Sequence, residues 1–395
     1  MKKILAILIA LSMIVVAIPA VMANGGPVSN DNEAEYPNGA DSVTTTAQVA
    51  GTSGGGGTGG TGNEPPIIKA KWEYDLCVQL CDDNCDPLCC TEHDADPDTP
   101  GLQVAPVLGG SVTVGYYAVI TDPQGISTVQ SVYVDVWHPD GTFKYQIELH
   151  PLGLTDSGYD KTDALDAWDH VTNCHHDLIK YNGYDDYDIW DEINEELAYV
   201  YYGWAEISYC QPGGYYYVGV RAVDTFGAWS NYLYNQFWYI PTAAIEVDFD
   251  TIDYGTVVIS HTQWVGGDQD MLTPNKPTVR SIGNTPVEIG VWQDDMEFGQ
   301  TDGHWNVYFD ARLSADGTVV EYDPFEDGVM IPGFIPLCDK EKLDFSIHVL
   351  KGFPGDVPYT GEMRLYAYIS GNPPWDTPLI LVGNAPHGIV QDLTP

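Results

Sequence analysis

The sequence predicts a mainly β protein of two β-sandwich domains in series, the first with an inserted helical hairpin. Three observations lead there. Apolar and polar residues alternate over short runs, the period-2 signature of half-buried strands. Gly, Pro, Asn and Asp bound those runs, in residues 67–241 and again in 243–370. Between about 160 and 197 the apolar spacing lengthens to that of a helix.

The elements follow in order. In "SVTVGYYAVITDPQG", Val112, Val114, Tyr116, Ala118 and Ile120 alternate, and Asp122-Pro123-Gln124-Gly125 makes a turn. "STVQSVYVDVWHPDGTFKYQIELH" is a hairpin. Val132, Val134 and Val136 alternate on one arm, Phe143, Tyr145, Ile147 and Leu149 on the other, around Pro139-Asp140-Gly141. From Thr162 to Lys180 the apolar positions are Leu165, Trp168, Val171, Cys174 or His175, and Leu178, with Asp163, Asp166, Asp169 and Asp177 opposite. Asn182-Gly183 stops that helix, and a second, near Asp186 to Leu197, uses Ile189, Trp190, Ile193 and Leu197. Strands return in "AYVYYGWAEISYC" and "YYYVGVRAVDTFGAWSNYLYNQFWYIP". Five more runs, from "IEVDFDTIDYGTVV" to "YTGEMRLYAYIS", build the second sandwich.

Outside the domains the composition changes. The chain opens with Lys2 and Lys3, an apolar run from Ile4 to Ile18, and Val21-Met22-Ala23. This is the pattern of a secretory signal over 1–23, too short for a membrane span. Residues 24–66, rich in Gly, Thr and Ser, read as a flexible arm, because they carry too little apolar surface to offset ordering entropy. Residues 371–395 read as a tail with no lipid-anchor signal. The expected location is secreted, at the cell surface, with no membrane span after signal cleavage.

Charge narrows the partners. The chain has 57 acidic and 15 basic residues, a formal net charge of −42. Loss of the signal removes two lysines and no acid. Phosphate backbones require Lys and Arg, so nucleic acid is excluded as a partner, and anionic membrane surfaces are disfavoured. Two readings stay open: an acidic surface that keeps the chain soluble, or one that needs cations to pack against its own copies.

Five of eight cysteines lie in "DLCVQLCDDNCDPLCC": Cys77, Cys81, Cys85, Cys89 and Cys90. The spacing is neither C-x-x-C nor C-x-x-C-H, which removes redox-relay and haem-attachment readings. Ligation by four thiolates needs a helix, and Asp82-Asp83-Asn84 and Pro87 interrupt one. An exported chain meets oxidising conditions, so disulfides are expected. Five is odd, so at least one sulfur must reach Cys174, Cys210, Cys338 or another molecule. Cys174 and Cys210 together would pin the helical insert to the sandwich.

Other candidates carry weaker chemistry. Asp94, Asp96 and Asp98 form an alternating carboxylate set of the kind calcium takes, although the EF-hand pattern fails and a solvated acidic loop is the simpler reading. His170, Cys174 and Asp177 share a helical face of zinc-ligand type, against the simpler reading of a surface helix with one disulfide cysteine. Asp294-Asp295 and Glu192, Glu195 and Glu196 are acid neighbours that so acidic a chain produces by chance. No nucleophile–base arrangement or phosphate-cradling loop has a credible strand–helix context, so no enzymatic activity is expected. Tyr215, Tyr216, Tyr217, Trp229 and Trp238 offer aromatic platforms for a ligand, or core.

"PGGYYYVGVRAVDTFGAWS" resembles the late strands of immunoglobulin-like and fibronectin type III-like modules. "DYGTVV", "VRSIGNTPVEIGV", "DFSIHV" and "PYTGEMRLYAYI" resemble the Ig-like modules of the abnormal-spindle and hydin type. The order of signal, Gly/Thr arm, cysteine-bearing Ig-like domain with helical insert and second Ig-like domain resembles secreted cell-envelope proteins of methanogenic archaea. That resemblance implies two Ig-like β-sandwich domains in a structural subunit of an extracellular surface layer, sheath or filament, cross-linked by disulfides. It implies self-assembly with copies of itself or with other envelope proteins. The alternative is a secreted adhesin or carbohydrate-binding protein.

N-terminal sequencing of the exported chain is expected to begin at Asn24; an intact Met1 would replace assembly with a membrane tether.

Overall fold

A computed structural model describes residues 62–75, 101–155, 158–314, 317–352 and 358–370, and the backbone of two short strands at 380–381 and 390–391. The signal segment, most of the Gly-rich arm, the five-cysteine cluster and the Asp94, Asp96 and Asp98 loop lie outside the described residues. The chain is mainly β, with two hydrophobic cores.

Seven long strands build the first body: β1 (Ile67–Asp75), β2 (Ser111–Thr121), β3 (Val129–Trp137), β4 (Phe143–Pro151), β5 (Ala198–Ser208), β6 (Gly214–Asp224) and β7 (Leu233–Tyr239). Their order is β7-β6-β3-β4-β5-β2-β1, with the two-residue strands Gln103–Val104 and Lys180–Tyr181 at the ends. Strand β4 is where the ribbon folds over. Phe143 to Leu149 pair with β3, and only His150 and Pro151 pair with β5. This leaves β1, β2 and β5 facing β3, β6 and β7 across a core that includes Val114, Tyr116, Val134, Val218 and Phe237.

Two helices cover the outside of β1 and β2. Helix α1 (Lys161–Cys174) starts at Asp160, whose carboxylate accepts from the Thr162 N–H (3.0 Å). Helix α2 (Asp186–Asn194) starts at Asp185, which accepts from the Asp188 N–H (2.9 Å). Ala164, Trp168, Val171, Ile189 and Ile193 form their buried face. Trp168 packs 5.7 Å from Trp72, which stacks on Tyr117 at 5.2 Å.

The helical spacing predicted continuation from Thr162 to Lys180, but α1 ends at Cys174 and a 3-10 turn spans His176–Leu178. The cause is tertiary: Lys180 and Tyr181 pair with Lys71 and Ala70 at the edge of β1, so the chain must already be extended there. Leu197 is not on α2; it is half exposed, and Glu196 takes a left-handed φ of 57° that ends the helix. Strand β2 was expected to bury one face. Tyr117 and Val119 on its other face are buried as well, because the insert covers them.

The second body has a small two-stranded sheet, Gln300–Thr301 with His304–Trp305, and two main ones. One contains β8 (Ile245–Val247), β9 (Thr262–Val265), β10 (Thr278–Ser281), β12 (Val307–Leu313), β13 (Val320–Tyr322) and β15 (Lys340–Val349); the other contains β11 (Val287–Gln293), β14 (Val329–Ile335) and β16 (Met363–Ile369). Strand β15 organises the first sheet. Its start pairs with β10, its remainder with β12, and its free side with β9. Strand β11 is central in the second, between β14 and β16.

The turn between β10 and β11, residues 282–285, plugs into the first body. Asn284 is fully buried. Its Oδ1 accepts from the Thr242 N–H (2.7 Å), and its Nδ2 donates to the Ile240 carbonyl (3.0 Å). Its own N–H donates to Thr242 O (3.0 Å), and its carbonyl accepts from the Gly213 N–H (2.8 Å). A Cβ on Gly213 would stand 2.7 Å from Pro241 Cα, and one on Gly283 would strike the Thr242 carbonyl, so both need glycine. A disulfide between Cys210, just past β5, and Cys338, between β14 and β15, spans the same junction.

Asn284→Ala would strip the Thr242 N–H of its acceptor and the Ile240 carbonyl of one of its two donors, at a cost of about 1–3 kcal/mol. In calorimetry under reductant, this variant is expected to split one unfolding transition into two, one per core. A single unsplit transition would mean that other contacts couple the bodies.

Candidate functional site

Side chains on β3, β6 and β7 divide by the period of two. Val134, Val136, Val218, Val220, Leu233 and Phe237 point into the core. The opposite face carries aromatics around a charged centre. Arg221 lies 4.6 Å above the Trp229 ring and 5.0 Å above Tyr232, with its Nε 3.5 Å from the Asp135 carboxylate. Asp135 also accepts from Tyr232 OH (2.5 Å) and Gln146 Nε2 (2.6 Å). Tyr232 stacks on Tyr234 at 5.0 Å, and Trp137 meets both rings. Gly219 makes room: a Cβ there would reach within 2.6 Å of the Tyr234 ring. Burial and the Asp135 hydrogen bond raise the Tyr232 phenol above its ordinary value. Trp229 is 46% exposed. The patch offers fixed rings and a guanidinium to a planar or ring-shaped ligand, with the buried Asp135 carboxylate holding them in place.

Of the five aromatics read from the sequence as platforms, Trp229 belongs to this patch. Tyr215 and Trp238 lie side by side at 4.4 Å further along the face. Tyr216 is fully buried and Tyr217 nearly so, so neither is a platform. The inward phase of β6 takes Tyr216 into the core, where its hydroxyl donates to the Pro212 carbonyl (2.8 Å).

The cysteines sort differently from expectation. Cys210 does not pin the insert; it joins the second body through Cys338. Cys174 is also disulfide-bonded, which removes its thiolate from any zinc site with His170 and Asp177. Asp177 lies in the 3-10 turn beyond α1. Among the described residues no group of three or more His, Cys, Asp or Glu is placed to hold a metal.

The acid neighbours have structural partners. Asp294 accepts from the Met296 and Glu362 N–H groups (3.0 and 2.9 Å), and Asp295 from those of Glu297 and Gly299 (3.1 and 3.0 Å). Glu192 pairs with Lys69 (2.9 Å), which also lies 3.5 Å over the Tyr184 ring.

A buried polar cluster escaped the sequence reading altogether. Lys71 and Glu73 on β1 meet Asn235 on β7 between the two layers. One signal was available. In "LYNQFWY" the phase that buries Leu233, Phe237 and Tyr239 turns an Asn to the same inward side.

No family model and no curated protein matches the chain. Among solved structures, the C-terminal domain of the Streptococcus agalactiae AgI/II polypeptide BspA is similar at 13% identity, over 68% of this chain and 91% of that one, with a TM-score of 0.19. The C-terminal domain of the Streptococcus pyogenes antigen I/II-family protein AspA aligns at 14% identity over 78% and 96%, also with a TM-score of 0.19. A chaperone–tip adhesin complex of CFA/I fimbriae aligns at 8% identity over 78% and 92%, with a TM-score of 0.23. Superpositions this loose carry no functional argument. Among the described residues no helix is long and apolar enough to cross a membrane.

Titration offers a check on the end of this sheet beside Cys210. Burial, with the nearby Lys144 charge, lowers the His138 imidazole from 6.5 to about 4, against the pull of Asp140. Burial likewise lowers Lys144 to about 8. The folded state resists protonating His138 where the unfolded chain accepts it. The stability from neutral His138 is therefore complete above pH 6.5 and is lost as pH falls toward 4. His138→Gln is expected to flatten the decline in melting temperature across that window. An unchanged slope would assign the decline to other groups.

Proposed function

We propose that the chain is a structural subunit of an extracellular cell-envelope assembly: a surface layer, sheath or filament of the kind its domain order resembles. The observation that carries this reading is the junction. The two bodies are tied by Cys210–Cys338 and by a buried Asn284 whose side chain and backbone bond to two segments, Gly213 and the stretch Ile240 to Thr242 that leaves β7. A chain whose modules merely share a linker does not need such bracing. A subunit that transmits force or holds a lattice angle does. The partners are further copies of the chain or other envelope proteins, and the location is outside the cell. On this reading the acidic surface keeps neighbouring copies apart until cations screen it, and Asp94, Asp96 and Asp98 are the proposed calcium ligands. No catalytic role is proposed.

A second reading rests on the Arg221, Trp229, Tyr232 and Tyr234 patch, which suits a sugar-binding or adhesive surface. The two separate on one measurement each. Native envelopes run on denaturing gels are expected to hold the chain in large species until reductant, chelator or both are added. A chain that migrates as a monomer with neither would end the assembly reading. Glycan-array binding lost in Trp229→Ala would establish the second.

A further inference from the structure

Lys71 and Glu73 stand two residues apart on β1 and project into the space between the layers. Lys71 is fully buried and Glu73 is 2% exposed. The Lys71 ammonium donates to Glu73 Oε1 (2.5 Å), to the Val218 carbonyl (3.2 Å) and to Asn235 Oδ1. Asn235 Nδ2 donates to the other Glu73 oxygen. Amine, carboxamide and carboxyl thus close a ring of contacts, and β1 and β7 are the first and last long strands of the body.

As a stabilising device alone, this cluster is a poor choice. Taking Lys and Glu out of water costs more than their attraction reliably returns, and well-packed apolar residues would do as well. As a reaction centre the same arrangement is apt. Burial lowers the Lys71 pKa, which favours the nucleophilic free amine. The amine is held against the carboxamide it would attack, and the carboxyl reaches both nitrogens. Lys144 meets the Gln211 amide at 2.6 Å, but among the described contacts no carboxylate bonds to either.

We propose that Lys71 and Asn235 condense to an intramolecular amide, joining Lys71 Nζ to Asn235 Cγ with release of ammonia, and that Glu73 carries the proton. The ammonium first passes one proton to Glu73, giving a neutral amine and a carboxylic acid. The Nζ lone pair forms a bond to Cγ, and the carbonyl electrons move onto Oδ1. Glu73 gives its proton to Nδ2 and takes one from Nζ. The Cγ–Nδ2 bond then breaks, ammonia leaves, and the carbonyl re-forms. One amide and one ammonia are made, and no oxidant or co-reactant is consumed. A surface cavity of about 210 Å³, bordered by Glu73, Asn235, Asp177 and Tyr234, gives the ammonia a way out. The bond would clasp the two layers covalently, across 164 residues of sequence.

The test is the intact mass of the reduced, full exported chain, followed by proteolytic mapping. The expected mass is lower than that of the sequence by one ammonia, with a branched peptide joining the β1 and β7 segments. Glu73→Gln, which keeps the size of the side chain, is expected to restore the full mass with the two peptides separate. Asn235→Ala should likewise give no branched peptide. A wild-type chain of unaltered mass with separate peptides would overturn the proposal, as would loss of water instead of ammonia. A cross-link that survives Glu73→Gln would overturn the role of the carboxyl. None of these readouts depends on whether the chain assembles.

Discussion

Every residue of β1 from Ile68 to Tyr74 is buried, and much of the first body follows from that constraint. A strand in a half-solvated sheet can turn its polar residues to water. Here helices α1 and α2 occupy the outer side, against Trp72, and the opposite layer occupies the inner side. The lysines and Glu73 of β1 therefore need partners inside the protein. A register slip at Lys69 sends that side chain toward α2, where Glu192 and Tyr184 receive it. Lys71 and Glu73 have no such route and face Asn235 and the Val218 carbonyl. The insert that shields Trp72 also dictates the chemistry on the other side of the strand.

The junction follows a different logic. Two separate cores each satisfy their own apolar residues, so burial alone gives no reason for the bodies to hold one angle. The connection is made instead by directional groups: a buried amide side chain, close backbone contacts that only glycine permits, and a disulfide. Hydrogen bonds with no water to compete fix geometry more tightly than apolar contact does.

The β character was legible because it rests on local rules. Alternation in Val132 to Val136 and in Phe143 to Leu149 encodes the hairpin directly, and its arms are β3 and β4. Acidic starts and helical spacing around Trp168 and Ile189 encode α1 and α2. What depended on tertiary context was not legible. The stop of α1 at Cys174 is set by pairing with β1, far away in sequence. The pairing of Cys210 with Cys338 needs the relative position of two bodies, which no cysteine spacing contains. Lys71 and Glu73 look like the wet face of an ordinary strand. Only the layer that packs over them, contributed by residues more than a hundred positions later, makes them interior.

The ends of the first sheet carry a consequence for how copies can meet. The ribbon terminates in Gln103–Val104 on one side and Lys180–Tyr181 on the other, each only two residues long. A neighbour adding a strand needs a long row of open backbone donors and acceptors, and strands this short provide almost none. Where they sit, over the end of β7 and the middle of β1, these short strands block growth of the first body by sheet extension. Whatever touches it there must be recognised through side chains, whose identity can be tuned residue by residue, and not through the backbone, which is the same in every protein.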